Sequence, residues 1–228
     1  MKKKIVFLTG AGVSAESGIP TFRGTVGGLW ENHKVEEVAT AKALRDNPEL
    51  VYKFMNEFRN KYKDCKPNSA HKAIAELEKD YDVVVITQNV DNLHEQAGST
   101  NVIHLHGDLS KVCAVDNENL LFDYTEDITP ETRISGHTVR PHIVLFGEAV
   151  PNIESASKVL CDADICIVIG TSFNVYPAAG LVQYVPYGNP IYYIDPNPVH
   201  VTGYPDIKVI KNTATSGMEE LFKLLKND

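Results

Sequence analysis

The residues with chemical potential sit in short segments that follow apolar runs. Gly10-Ala11-Gly12-Val13-Ser14-Ala15-Glu16-Ser17-Gly18 comes directly after Ile5–Leu8. Side chains this small let a backbone approach a phosphate, and a helix N-terminus there offers it unpaired N–H groups. Ala15 stands where Gly-x-Gly-x-x-Gly has its third glycine, so a plain tight connection from strand to helix is an equal reading. Ile19-Pro20-Thr21-Phe22-Arg23-Gly24 then adds an aromatic ring and a guanidinium, and Gly27-Gly28-Leu29-Trp30 reads as an aromatic-tipped loop able to cover a ligand. Taken singly, Phe22 and Trp30 would pass for core anchors and Arg23 for a surface charge.

Thr87-Gln88-Asn89-Val90-Asp91-Asn92-Leu93-His94 gathers amides and a carboxylate at the end of another apolar run, where open α/β sheets bind ligands. The competing reading is a cap, Asn89 or Asp91 on a helix beginning near Asn92. In His104-Leu105-His106-Gly107-Asp108 the two imidazoles share one face of an extended segment, because side chains alternate sides along a strand. That placement suits a metal pair or a general base; with no cysteine pair and no carboxylate at ligand spacing, zinc is the weaker choice. Arg140-Pro141-His142-Ile143-Val144-Leu145-Phe146-Gly147-Glu148 and Gly170-Thr171-Ser172 also end apolar runs, and the Gly-Thr-Ser turn suits phosphate or ribose oxygens.

The elements that must position these groups follow from hydrophobic patterning. Ile5–Leu8, Val83–Ile86, Ile143–Phe146, Ile165–Ile169, Ile191–Ile194 and Ile207–Ile210 are continuous apolar runs of strand length, as a sheet buried on both faces requires. Amphipathic stretches such as Ala70–Lys79 and Gly217–Leu225 supply covering helices, so the pattern predicts an α/β fold with a doubly wound parallel sheet. Lys34–Leu44 and Pro48–Lys63 read as helices inserted beside it, and the polar stretch Leu109–Val139 as a surface excursion.

With 30 acidic and 22 basic residues the net charge is −8, which argues against nucleic acid as a partner. No run of about eighteen apolar residues exists to span a membrane, and the run after Met-Lys-Lys-Lys is too short for a secretion signal. Cys65, Cys113, Cys161 and Cys166 form no Cys-x-x-Cys pair, which fits reduced thiols in a cytoplasmic protein.

Taken in order, Gly10-Ala11-Gly12-Val13-Ser14 with Gly18-Ile19-Pro20-Thr21-Phe22-Arg23, Gln88-Asn89-Val90-Asp91, His106-Gly107, Phe146-Gly147-Glu148 and Gly170-Thr171-Ser172 resemble the sirtuin family of NAD-dependent protein lysine deacylases. The resemblance spans nearly the whole chain, and Gly28-Leu29-Trp30 with Val35-Glu36-Glu37-Val38-Ala39-Thr40 is most similar to the short bacterial members of the desuccinylase-like class. It implies one domain over 1–228: a Rossmann NAD-binding part from 1–30, 79–108 and 140–228, a helical insertion at 31–78 and a shortened small-domain module at 109–139. NAD and an acylated lysine of a protein or peptide would meet in the cleft between them.

By the same resemblance Gly10, Ala11, Gly170, Thr171 and Ser172 would hold the phosphates and adenosine ribose, joined by Asp195 and Asn197. Arg23 would sit near the pyrophosphate, Phe22 would shield the nicotinamide pocket, and Gln88, Asn89 and Asp91 would meet the nicotinamide end, the last two orienting its ribose and carboxamide. The acyl oxygen would attack the anomeric carbon to give an alkylimidate and release nicotinamide. His106 would be the general base that deprotonates the ribose hydroxyl relay. Val144, Phe146, Gly147 and Glu148 would take the substrate backbone as an added strand.

The chain also departs from the family. Most members carry two cysteine pairs between the histidine and Arg-Pro motifs, whereas this interval holds Cys113 alone, so no zinc is expected; Leu120, Leu121, Phe122 and Tyr124 are expected to replace it with an apolar cluster. Met55 and Phe58 stand where desuccinylase-like members place the tyrosine and arginine that grip an acidic acyl group, which favours acetyl or a longer apolar chain; a one-residue slip would bring in Arg59. Asp195 replaces the usual asparagine and adds negative charge near the dinucleotide. A monomer is the favoured state. An NADase or ADP-ribosyltransferase built on the same site, and a non-enzymatic NAD-sensing module, are the alternatives.

Overall fold

The computed structural model describes residues 2–21, 33–173, 175–200 and 206–225. Its first half runs β1 (Lys4–Thr9), α1 (Val35–Val38), α2 (Ala41–Asp46), α3 (Pro48–Tyr62), α4 (Ser69–Glu76), β2 (Asp82–Thr87), α5 (Leu93–Ala97), β3 (Val102–His104) and β4 (Gly107–Ala114). Then come β5 (Asn117–Asp123), β6 (Arg133–Ile134), β7 (His137–Ile143), α6 (Ile153–Cys161), β8 (Ile165–Ile169), β9 (Ile191–Ile194), β10 (Lys208–Ile210) and α7 (Ala214–Leu225).

Six strands form one parallel sheet in the order β10-β9-β8-β1-β2-β3. The chain winds outward from β1 to β3, crosses back, and winds outward again from β8 to β10. β1 and β8 therefore lie side by side where the winding reverses, with a crevice beyond their carboxyl ends that such sheets use for ligands. Alternation along β1 explains the two cores. Ile5 and Phe7 pack on one face with Ala70, Ile74, Met218 and Leu221 of α4 and α7; Val6 and Leu8 pack on the other with Ala156 and Leu160 of α6. Each of these side chains is almost wholly removed from water, and a large one so buried contributes on the order of 2 kcal/mol.

Pattern and structure part company in three places. The run Ile143–Phe146 is no strand of the parallel sheet: β7 ends at Ile143 and belongs to a second, antiparallel sheet of order β5-β4-β7-β6. Two of its side chains instead join α3, with Leu145 buried among Val51, Phe54 and Met55 and Ile143 packed against them. The stretch Leu109–Val139 is accordingly not a mere surface excursion, because Val112, Ile128 and Val139 close a small core against Tyr52 of α3. Phe122 and Tyr124 join that core as expected, but Leu121 is exposed and Leu120 is outside it.

The helix expected over Lys34–Leu44 is broken into α1 and α2. Thr40 caps α2 by accepting from the Ala43 amide, and the flanking backbone turns to Phe146, with Phe146 N–H donating to Ala39 and Ala41 N–H to Phe146, both at 2.9 Å. No helix among the described residues is long and apolar enough to cross a membrane.

Candidate active site

Two glycine turns meet at the carboxyl ends of β1 and β8. Gly10 N–H donates to Ile169 O at 3.1 Å and Gly12 N–H to Gly170 O at 2.8 Å. A Cβ on Gly12 would lie 2.6 Å from Gly170 Cα, and one on Gly170, whose φ is +66°, only 2.4 Å from Val13 N. The glycines are thus demanded first by the approach of one turn to the other, and the amides of Gly10 and Gly12 point inward. The tight-connection reading of the motif accounts for both glycines, whose amides are already bonded to Ile169 O and Gly170 O.

After β2 the chain enters the loop Gln88–Asp91. Asn89, buried, donates its amide to Gly10 O and Ser14 Oγ, each at 3.2 Å. Asp91 does two things: Oδ2 accepts the Ser14 hydroxyl at 3.0 Å, while Oδ1 accepts Leu93 N–H at 3.1 Å and so caps α5. Burial pushes the Asp91 carboxyl up, against the opposing pull of those two bonds. Gln88 donates to Thr171 Oγ1 at 3.1 Å. Thr171 Oγ1 also accepts from Phe173 N–H, which fills both of its acceptor positions.

Behind the loop lies a buried polar layer that sequence reasoning missed. His71 Nε2 is 3.4 Å from Ser14 Oγ, its Nδ1 is 3.1 Å from Asn68 Oδ1, and His94 Nε2 is 3.1 Å from Thr9 Oγ1. The two rings meet edge to face with centroids 4.8 Å apart. Burial lowers His71 to about 4 and holds His94 well below the ordinary imidazole value, so both are neutral. The available signal was His71 standing on the buried face of α4 between Ala70 and Ile74.

The two histidines of the His-Leu-His segment do share a face, and each turns Nδ1 to a successive carbonyl of the loop. His106 reaches Gln88 O at 2.9 Å and His104 reaches Asn89 O at 3.1 Å. A carbonyl only accepts, so His106 carries its proton on Nδ1 and a lone pair on Nε2, which has no partner among the described residues. Burial lowers the His106 pKa, with the Gln88 carbonyl acting the other way. His104 Nε2 is instead held by Glu95 Oε1 at 2.8 Å. His104 thus has both ring nitrogens engaged, whereas His106 keeps Nε2 open.

Other expected positions lie on the 143–148 segment, on α3 and just past β9. Val144 N–H donates to His106 O at 2.9 Å, which ties the Ile143–Glu148 segment to His106. Phe146 is 47% exposed, yet its main-chain groups are both taken by Ala39 and Ala41, so a strand added here cannot draw on them. Glu148 turns back onto Arg140, at 2.7 and 3.1 Å, and onto Leu145 N–H at 2.8 Å, shaping the segment from within. Met55 and Phe58 sit in one apolar cluster with Val90, Leu109 and Leu145. Asp195, at the end of β9, accepts Asn197 N–H at 2.8 Å, and partial burial raises its pKa. Phe22 and Arg23, with the Gly27–Trp30 loop, lie outside the described residues.

Residues 10–177 match the model of the Sir2 family. An NAD-dependent protein deacylase of Bacteroides thetaiotaomicron is 49% identical over an alignment of 231 positions that covers 98% of each chain. Another, from Aggregatibacter actinomycetemcomitans, is 51% identical over 199 positions, covering 87% of this chain and 95% of the relative. Among solved structures, a Sir2 homologue in complex with NAD superposes with a TM-score of 0.86 at 41% identity, over 99% of this chain and 90% of that one.

Proposed function

The chain belongs to the Sir2 family and is an NAD-dependent protein deacylase, and from that premise we propose that it is a lysine deacetylase, passing acetyl from a protein side chain to ADP-ribose with release of nicotinamide. The observation that carries the narrower reading is the apolar cluster of Met55, Phe58, Val90, Leu109 and Leu145, whose Leu145 follows Val144, the residue bonded to His106 O. It offers methyl and methylene contacts and no partner for an acidic acyl group. Arg59 follows Phe58 on α3 but is held elsewhere by bonds from Nε and Nη1 to Leu109 O, Glu126 O and Asn56 Oδ1, which leaves Nη2 as its one nitrogen without a partner among the described residues.

In this reading His106 takes a ribose hydroxyl proton on Nε2, the nitrogen that its bond to Gln88 leaves basic. Asn89 and Asp91, aligned through Ser14, orient the nicotinamide ribose and carboxamide, with Gln88 beside them. Gly10, Ala11, Gly170, Thr171 and Ser172 take the phosphates and adenosine ribose, and Asp195 and Asn197 extend that contact past β9. Arg23 and Phe22 complete the nicotinamide side. Val144, Phe146, Gly147 and Glu148 form the bed of the peptide, with Glu148 acting on its shape.

We propose further that the small sheet is zinc-free. Cys113 is buried in β4 between Leu121 and Arg140, and burial pushes its thiol up to about 11, the reverse of what a thiolate ligand needs. Among the described residues no three His, Cys, Asp or Glu side chains are grouped to hold a metal. The donor set does not fit the ion, and the Tyr52-Val112-Ile128-Val139 core does its work. Exhaustive chelation is expected to leave activity and melting temperature unchanged; stoichiometric zinc in purified protein by elemental analysis would overturn the proposal. All four cysteines are free thiols, which suits the reducing cytoplasm we assign.

The deciding experiment measures nicotinamide release with NAD alone and with an acetyl-lysine peptide, following the lysine product by mass spectrometry. Release should require the acetyl peptide and match its deacetylation. Release without peptide would replace the reading by NAD hydrolysis, and NAD binding with no release by an NAD-sensing module.

A further inference from the structure

His104 has no part in the proton transfer assigned to His106, yet it is one of the most constrained side chains near the site. Its side chain is only 12% exposed, and both ring nitrogens face acceptors: Nδ1 the Asn89 carbonyl at 3.1 Å and Nε2 the Glu95 carboxylate at 2.8 Å. A neutral imidazole has a single N–H to give, so satisfying both partners requires a second ring proton. His106 differs in just this respect, with one carbonyl and one open nitrogen.

The connectivity makes the contact a closed ring. Asn89 leads through Asp91 into α5, where Glu95 stands; Glu95 holds His104, and His104 returns to Asn89 O. The far side of His104 is fixed too, since its own carbonyl accepts Asn152 Nδ2 at 2.8 Å. We propose that His104, with Glu95, is a positioning residue: a charged brace that fixes the Asn89 carbonyl and thereby sets the Gln88–Asp91 loop for NAD.

This inference rests on the Sir2 reading for the role of that loop, but the brace itself is read from the ring of contacts. The groups facing His104 are Glu95 and the neutral His94 from α5, Asp91 from the loop, Asp108 from β4 and His142 from β7. Burial disfavours the imidazolium, but the bond to Glu95 and its charge, aided by Asp108 and Asn89 O, outweigh it, so the His104 pKa is raised. His106, by contrast, is lowered. The active form therefore has His106 neutral and His104 charged, and kcat/KM for NAD should rise with pH as His106 loses its proton and fall at higher pH as His104 loses its own.

The test compares pH profiles of kcat/KM for NAD in the wild type, Glu95→Ala and Glu95→Gln. Glu95→Ala removes what sustains the charge, so the alkaline limb should move to lower pH; each unit of movement costs about tenfold in activity on that limb, while the acid limb stays in place. Glu95→Gln can donate to a neutral His104 whose Nδ1 still holds Asn89 O, so its alkaline limb should disappear. A merely structural contact would lower activity equally at all pH values. Unchanged alkaline limbs in both variants, or a uniform loss in both, would overturn the brace. NAD affinity by calorimetry over the same range reads the brace without turnover, so failure of the deacylase reading would be seen separately.

Discussion

His106→Asn is expected to lower kcat by about 10²–10⁴-fold, the range associated with loss of a positioned general base, while NAD still binds. The choice of asparagine follows from the geometry. Its amide nitrogen can take the place of Nδ1 and keep the bond to Gln88 O, now 2.9 Å, so the Gln88–Asp91 loop stays supported. What it lacks is the basic Nε2. The variant should also lose the acid limb of the pH profile, which in the wild type lies below the ordinary imidazole range because burial lowers the His106 pKa. Single-turnover deacetylation with calorimetric NAD titration separates the two effects. Activity within about threefold of wild type would remove His106 from the proton transfer.

An acetyl-lysine peptide should be preferred to the same peptide carrying succinyl-lysine by at least about 10²-fold in kcat/KM. Burying a carboxylate without a partner costs several kcal/mol, and about 2.8 kcal/mol already gives that ratio. The cluster around Met55 and Phe58 supplies no cation, and Phe58 is further committed to an edge contact with Tyr62, ring centroids 5.0 Å apart. Butyryl-lysine, apolar and longer, should lose far less than succinyl-lysine. The double substitution Met55→Tyr, Phe58→Arg should narrow the ratio by giving the carboxylate a bidentate partner. Succinyl turnover above acetyl turnover in the wild type would sink the assignment of these two residues.

The parallel sheet was legible because continuous apolar runs have few other uses. Ile165–Ile169 and Ile191–Ile194 are strands with the bounds their sequences suggest. Ile143–Phe146 has the same composition but obeys a different constraint: β7 pairs with β4, and beyond it Leu145 is buried against α3 while Phe146 stays exposed. Composition reports burial, and the partner that buries a run is a tertiary fact. The antiparallel sheet was illegible for the complementary reason, since β5 is mostly exposed and its polar residues read as loop.

At the site, the glycine turns and the Gln88–Asp91 loop were visible as local patterns. Glu95 and His71 were not, because each acts through a neighbour distant in sequence: His104 for the one, Ser14 for the other. At Asp91 the cap reading holds for one carboxylate oxygen, and the other is spent on Ser14, a partner distant in sequence.

The pair of bonds that joins Phe146 to Ala39 and Ala41 has a bearing on how new specificities can be assembled. It stitches the segment proposed to hold the peptide to the helical layer proposed to hold the acyl group, so a change in one is transmitted to the other. A chimera importing only 33–62 from a relative would face a foreign seam at Phe146, and one importing only 139–148 would meet the same seam from the other side. Recombination between relatives should therefore respect both segments together, and graftable specificity in this scaffold is modular in space though split in sequence.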